Sequence, residues 1–152
     1  MSDNILEVRH LSTYFLTGER PVRAVDDLSY TVKRGEFTAI IGESGSGKTV
    51  SALSILRLIP YPPGLIVDGE IIFDGEDLMQ YTDEQMRRLR GKRISMIFQE
   101  PSAALNPVMK VGDQICEAIL LHEKCDKAAA RKRALELLEL VGIPGAEKRI
   151  DQ

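Results

Sequence analysis

The sequence predicts an α/β fold with an antiparallel β subdomain and the start of a helical subdomain. Three observations carry that prediction. The runs 37–41 and 94–98 are short and almost wholly apolar, as strands covered on both faces are. A glycine-rich loop over 42–49 joins the first run to a segment of helical spacing. Beyond about residue 99 only helical periodicity remains, so 1–98 read as the α/β part and 99–152 as the helical part.

Each element follows from local chemistry. Ile5–Phe15 and Val22–Val32 read as strands separated by the turn cluster Thr17-Gly18-Glu19-Arg20-Pro21. Lys33-Arg34-Gly35-Glu36 turns the chain into Phe37–Ile41, the first buried-strand candidate. Lys48–Leu58 has helical spacing and is stopped by Pro60, Pro62, Pro63 and Gly64. Gly69–Phe73 is a strand closed by an Asp74-Gly75 turn. Thr82 with Gln85 forms a capping box for a helix to about Arg90, and Ile94–Phe98 is the second buried-strand candidate. Pro101, Asn106 and Pro107 mark an irregular connection. Val111, Ile115 and Ile119 space one amphipathic helix. Asp126 caps another, with Ala130, Ala134, Leu137, Leu138 and Val141 on one face and Gly142 and Pro144 at its end.

Composition narrows the function classes. A net charge of −3 gives no reason to expect nucleic acid. No apolar run approaches the length that spans a bilayer, and the polar start Met1-Ser2-Asp3-Asn4 does not read as a secretory signal. Cys116 and Cys125, without a CxxC, suggest neither a disulfide framework nor a zinc site. His10 and His122 sit in no recognisable partner pattern.

The chemistry lies in Gly42-Glu43-Ser44-Gly45-Ser46-Gly47-Lys48-Thr49, which fits GxxxxGK[ST] at every fixed position, between a strand and a helix. Glycines let the backbone curl so that N–H groups converge on a phosphate. The helix start adds its positive dipole end. Lys48 supplies an ammonium for the β- and γ-phosphates, and the Thr49 hydroxyl is placed to ligate Mg²⁺. Val50 completes the candidate stretch. The expected ligand is a nucleoside triphosphate with Mg²⁺. Ile71-Ile72-Phe73-Asp74 imitates a metal-binding strand end, but Asp74-Gly75 reads better as a hairpin turn. Gln99, after its apolar run, would ordinarily be a satisfied polar residue.

The loop GESGSGKT, the later Ile97-Phe98-Gln99-Glu100-Pro101 and the following Ala104-Leu105-Asn106-Pro107 together resemble one family, the ATP-binding subunits of ABC transporters. Within it, Ile94–Pro101 with Leu105-Asn106-Pro107 resembles the oligopeptide and dipeptide importer ATPases. The resemblance covers essentially the whole chain and implies a P-loop NTPase core that binds ATP and Mg²⁺. It implies that Phe15 is the aromatic residue stacking on adenine, with Ala24 near the adenine edge. It implies that Gln99 reaches Mg²⁺ and the γ-phosphate, so that Lys48 and Gln99 would be the catalytic side chains and Thr49 and Gln99 the metal ligands. The implied partners are transmembrane permease subunits and a second ATPase subunit, identical or not. Membrane contact would come only through the permease, peripherally, at the cytoplasmic face of the bacterial inner membrane.

The chain departs from the family pattern in lacking an LSGGQ signature, a strand ending Asp-Glu and a switch histidine. The expectation is therefore the N-terminal portion of a longer ATPase subunit, coupling ATP hydrolysis to uptake of peptides or similar solutes. Phe37–Ile41 is expected to lack the strand that normally lies beside it, leaving apolar side chains toward water or another chain. One alternative is a nucleotide-binding module without turnover. Another is an unrelated P-loop NTPase, against which the absence of an Asn-Lys-x-Asp motif and the presence of IFQEP argue.

Overall fold

In the first unit, Met1–Arg87, four antiparallel strands form a sheet in the order β2-β1-β3-β4. They are β1 (Asn4–Phe15), β2 (Val22–Lys33), β3 (Gly64–Phe73) and β4 (Glu76–Asp77). The computed structural model describes residues 3–100 and 105–152, so Pro101 and Ala104 lie outside the described residues. The central strand β1 buries Val8, Leu11 and Thr13 against Ile71 and Phe73 of β3. Val25, Leu56, Leu78 and Met86 complete the apolar core of this unit.

The three long strands depart from regular alternation at one level. His10 and Asp27 both adopt positive φ, 52° and 55°, and Gly69 has φ 107°. A Cβ on Gly69 would come within 2.6 Å of the Leu11 Cα, so glycine is required for the strands to approach there. Side-chain hydroxyls bond the backbone N–H groups that the bulges displace: His10 N–H donates to Ser29 Oγ at 2.8 Å and Asp27 N–H to Ser12 Oγ at 3.1 Å. β3 therefore runs straight through Gly69 and starts at Gly64, five residues earlier than the sequence suggested.

Asp74-Gly75 forms the two-residue hairpin between β3 and β4, with Phe73 paired to Glu76. Both turn residues have positive φ, 53° and 86°, as the type I′ turn needs. The Asp74 carboxylate accepts from Arg34. A short 3-10 turn, Leu78–Gln80, leads to α2 (Asp83–Leu89). The capping box at its start is reciprocal: Thr82 N–H donates to Gln85 Oε1 at 2.8 Å and Gln85 N–H to Thr82 Oγ1 at 3.3 Å.

The two predicted buried strands are not what the structure holds. Among the described residues, no strand pairs with 37–41, and Ile94 makes only an isolated bridge to Arg90. Ile41 is 93% exposed and Ile97 92%. Apolar composition records what a segment needs for burial. The partner strands that would supply it are not among the described residues.

The second unit, Arg88–Gln152, is helical: α3 (Val111–His122), α4 (Lys127–Leu140) and the four-residue α5 (Ala146–Arg149). Ala130 and Ala134, one turn apart and fully buried, let α4 approach Ile119 of α3, with Ile150 closing the cluster. Val141 was expected on this face and is 69% exposed, because it caps α4 after the helical register ends. Asp126 Oδ1 accepts from Ala129 N–H at 2.8 Å, as its capping role requires. Among the described residues, no helix is long and apolar enough to cross a membrane.

Candidate phosphate-binding site

The site is built on α1 (Lys48–Ile55), which starts one residue after a left-handed Gly47 with φ 85°. Glycine is required there twice over. The φ is disfavoured for other residues, and a Cβ would come within 2.2 Å of the Ala24 carbonyl oxygen. This contact fixes the loop against the start of β2. No side chain caps the helix, so the first-turn N–H groups keep their positive end for a ligand.

The buried polar face of α1 sets the loop against the sheet. Ser54 and Thr13 hydroxyls share a buried hydrogen bond of 2.9 Å between α1 and β1. Ser54 also donates to the Val50 carbonyl and Ser51 to the Lys48 carbonyl, so both hydroxyls are satisfied. The helix stops at Ile55, earlier than predicted, and Arg57 turns the chain with φ 49°. The Arg57 guanidinium is held by the carbonyls of Leu78 and Tyr81.

Lys48 folds back over its own loop. Its ammonium donates to the carbonyls of Gly42 and Glu43 at 2.7 and 2.6 Å and to Ser46 Oγ at 3.3 Å. A cavity of about 470 Å³ opens beside this ring. Gly42, Gly45, Ser46, Gly47, Lys48 and Ala24 all line it. Glu43, Ser44, Thr49 and Val50 do not line it; Thr49 is exposed in the first turn of α1.

Phe15 also lies outside the lining of this cavity. It ends β1 half-buried, paired with Val22 and Gly64, its ring so close to Gly64 that a Cβ there would meet Cε1 at 3.0 Å. Gln99 is exposed in the second unit, after a segment with no pairing beyond Ile94. The sequence reading missed the cluster at the start of β2. Tyr14 donates to Asp26 at 2.8 Å, Arg23 donates to the other Asp26 oxygen at 3.3 Å, and the guanidinium lies 5.5 Å from the Tyr14 ring centre. The Tyr14 hydroxyl first, and Arg23 second, hold the Asp26 carboxyl below the usual carboxylate range. The same bond to Asp26 is the main cause raising the Tyr14 phenol.

A larger cavity, about 690 Å³, lies between α3 and α4. Its lining sets the carboxylates Asp113 and Glu117 beside Lys127 and Arg131 and has no glycine cradle, so the chemistry of phosphate binding favours the smaller cavity. Among the described residues, no cluster of His, Cys, Asp and Glu could hold a metal by itself. The Thr49 hydroxyl is a hard oxygen donor, which suits an ion held mainly by phosphate oxygens, as Mg²⁺ commonly is.

Residues 25–152 match the family model described as ABC transporter. The chain is 51% identical over 148 residues to the oligopeptide transport ATP-binding protein OppD of Bacillus subtilis, covering 97% of this chain and 41% of that protein. It is 46% identical over 147 residues to the dipeptide transport ATP-binding protein DppD of Escherichia coli, covering 97% of this chain and 45% of that one. The chain thus spans less than half the length of these relatives. Its fold is similar to that of the bacterial ABC transporter cassette MJ0796, solved as a dimer, with a TM-score of 0.80 at 23% identity over 97% of this chain and 60% of the other. That cassette has also been solved in a post-hydrolysis state bound to ADP and Pi.

Proposed function

The chain belongs to the ABC transporter family, and we propose that Gly42–Thr49 holds the phosphates of ATP. The observation that carries this is the uncapped start of α1 beneath the folded-back Lys48, beside a cavity lined by the loop glycines. The Gly42 and Glu43 carbonyls hold the Lys48 ammonium over the loop. A bound triphosphate offers stronger acceptors, so Lys48 would exchange those carbonyls for β- and γ-phosphate oxygens. Mg²⁺ would supply neutralisation of phosphate charge, with Thr49 and Gln99 as the protein oxygens toward it.

In the longer subunit, the reading is an ATPase that couples hydrolysis to uptake of peptides, supported by the transport names of OppD and DppD. Permease subunits and a second ATPase subunit would be its partners, and the cytoplasmic face of the inner membrane its place. Phe15 and Ala24 would meet the adenine. Residues 1–98 would form the nucleotide-binding part and 99–152 the Q-loop and helical part. Taken alone, the chain would bind nucleotide without turnover, since Asp74 is engaged in the β3–β4 hairpin and accepts from Arg34.

Calorimetric titration with ATP tests the site. Lys48→Ala is expected to weaken binding by about a hundredfold, the scale of a lost charge-assisted contact. Unchanged affinity in a folded Lys48→Ala variant would overturn the assignment.

A further inference from the structure

We propose that Arg23 is a second cationic contact for the nucleotide, pairing with its polyphosphate chain beside Lys48. The proposal rests on the phosphate-site reading above and adds a residue to it. Arg23 and Asp26 line the same cavity as Gly45–Lys48. The backbone that carries Arg23 is fixed there, because the next residue's carbonyl, on Ala24, lies against Gly47.

The guanidinium is weakly committed to the fold. Its bond to Asp26 is 3.3 Å long, and both side chains are more than half exposed, 65% and 51%. Among the described residues it makes no other hydrogen bond. It lies near the face of Tyr14, which limits where it can swing. A guanidinium has five donors in a fixed fork, so it can keep one carboxylate oxygen and still present an N–H pair to a phosphate.

Asp26 gives the arrangement a purpose. A carboxylate on the wall of a polyphosphate site repels the ligand unless it is neutralised. Tyr14 and Arg23 both donate to Asp26, and only Arg23 brings positive charge. An Arg23 that bridges Asp26 and the ligand converts that repulsion into a fixed point of attachment. Lys48 alone would otherwise face the polyphosphate with an uncompensated anion in the same lining.

The test is binding of ATP, ADP and adenosine to the parent chain, Arg23→Ala, Arg23→Lys and Lys48→Ala, with thermal unfolding as the check of folding. Arg23→Ala should weaken ATP by about tenfold, a lost charged hydrogen bond, ADP by less and adenosine not at all. Arg23→Lys should recover part of the loss, and added salt should shrink the difference between Arg23→Ala and parent. ATP binding unchanged in Arg23→Ala, while Lys48→Ala loses it, overturns the role of Arg23 and leaves the phosphate site standing. Equal losses for ATP and adenosine also overturn it, by placing Arg23 against the nucleoside. ATP binding unchanged in Lys48→Ala removes the site itself and this proposal with it.

Discussion

The phosphate loop and the Gln99 segment begin alike in the sequence, as a short apolar run followed by polar residues, and the structure treats them differently. The loop is fixed by what lies within its own unit. Gly47 rests on the Ala24 carbonyl, Lys48 is tied to Gly42 and Glu43, and the Ser54–Thr13 bond pins α1 to β1. Gln99 follows a run whose Ile97 and Phe98 are exposed and whose pairing is limited to Ile94. The difference teaches that one part of the candidate site is self-supporting and the other depends on packing that the described residues do not provide.

Substitutions in the two regions should therefore have unequal effects. Gly47→Ala should do the most damage. It combines a disfavoured φ with a 2.2 Å approach to backbone, so the loop must shift. The expected loss is about 1–3 kcal/mol of stability together with most nucleotide binding, read by thermal unfolding and ATP titration. A Gly47→Ala chain with parental stability would mean that the loop is looser than its contacts imply. Phe15→Ala comes next. Base stacking is worth about 1–3 kcal/mol, so ATP should bind roughly tenfold more weakly, inorganic triphosphate should be unaffected, and the parent should take GTP nearly as well as ATP. Loss of triphosphate binding in step with ATP would show Phe15 acting through the fold around Gly64. Gln99→Ala should matter least: in this chain ATP affinity should stay within about twofold, because a single exposed contact contributes little. A tenfold loss would break the comparison by showing that the Gln99 contact is held in this chain as firmly as those of the loop.

The loop was legible from sequence because its chemistry is local. Eight consecutive residues specify both the curl and the charge, and no distant partner is needed to recognise them. The Asp74-Gly75 hairpin and the Thr82–Gln85 capping box were legible for the same reason. Runs 37–41 and 94–98 were misread because strand pairing is a property of two segments, and composition speaks for only one. Gly69 concealed half of β3, since a glycine reads as a break unless the bulge at His10 and Asp27 is known. His10 itself showed no partner pattern, yet its Nδ1 lies 2.6 Å from Asp27 across that bulge. The Tyr14–Asp26–Arg23 cluster joins two strands through side chains twelve and three residues apart, a spacing without a recognisable motif. Helix α5 was too short for any periodicity to register.

The most direct test of binding without turnover is to measure both on one preparation of the chain: ATP affinity by calorimetry and steady-state phosphate release. The expected result is measurable ATP binding that Lys48→Ala weakens about a hundredfold, with phosphate release at background. General-base assistance is worth about 10²–10⁴-fold in rate, and the hairpin leaves Asp74 unable to provide it. Sustained phosphate release that disappears in Lys48→Ala would contradict the account, and loss of that release in Asp74→Asn would identify the carboxylate responsible.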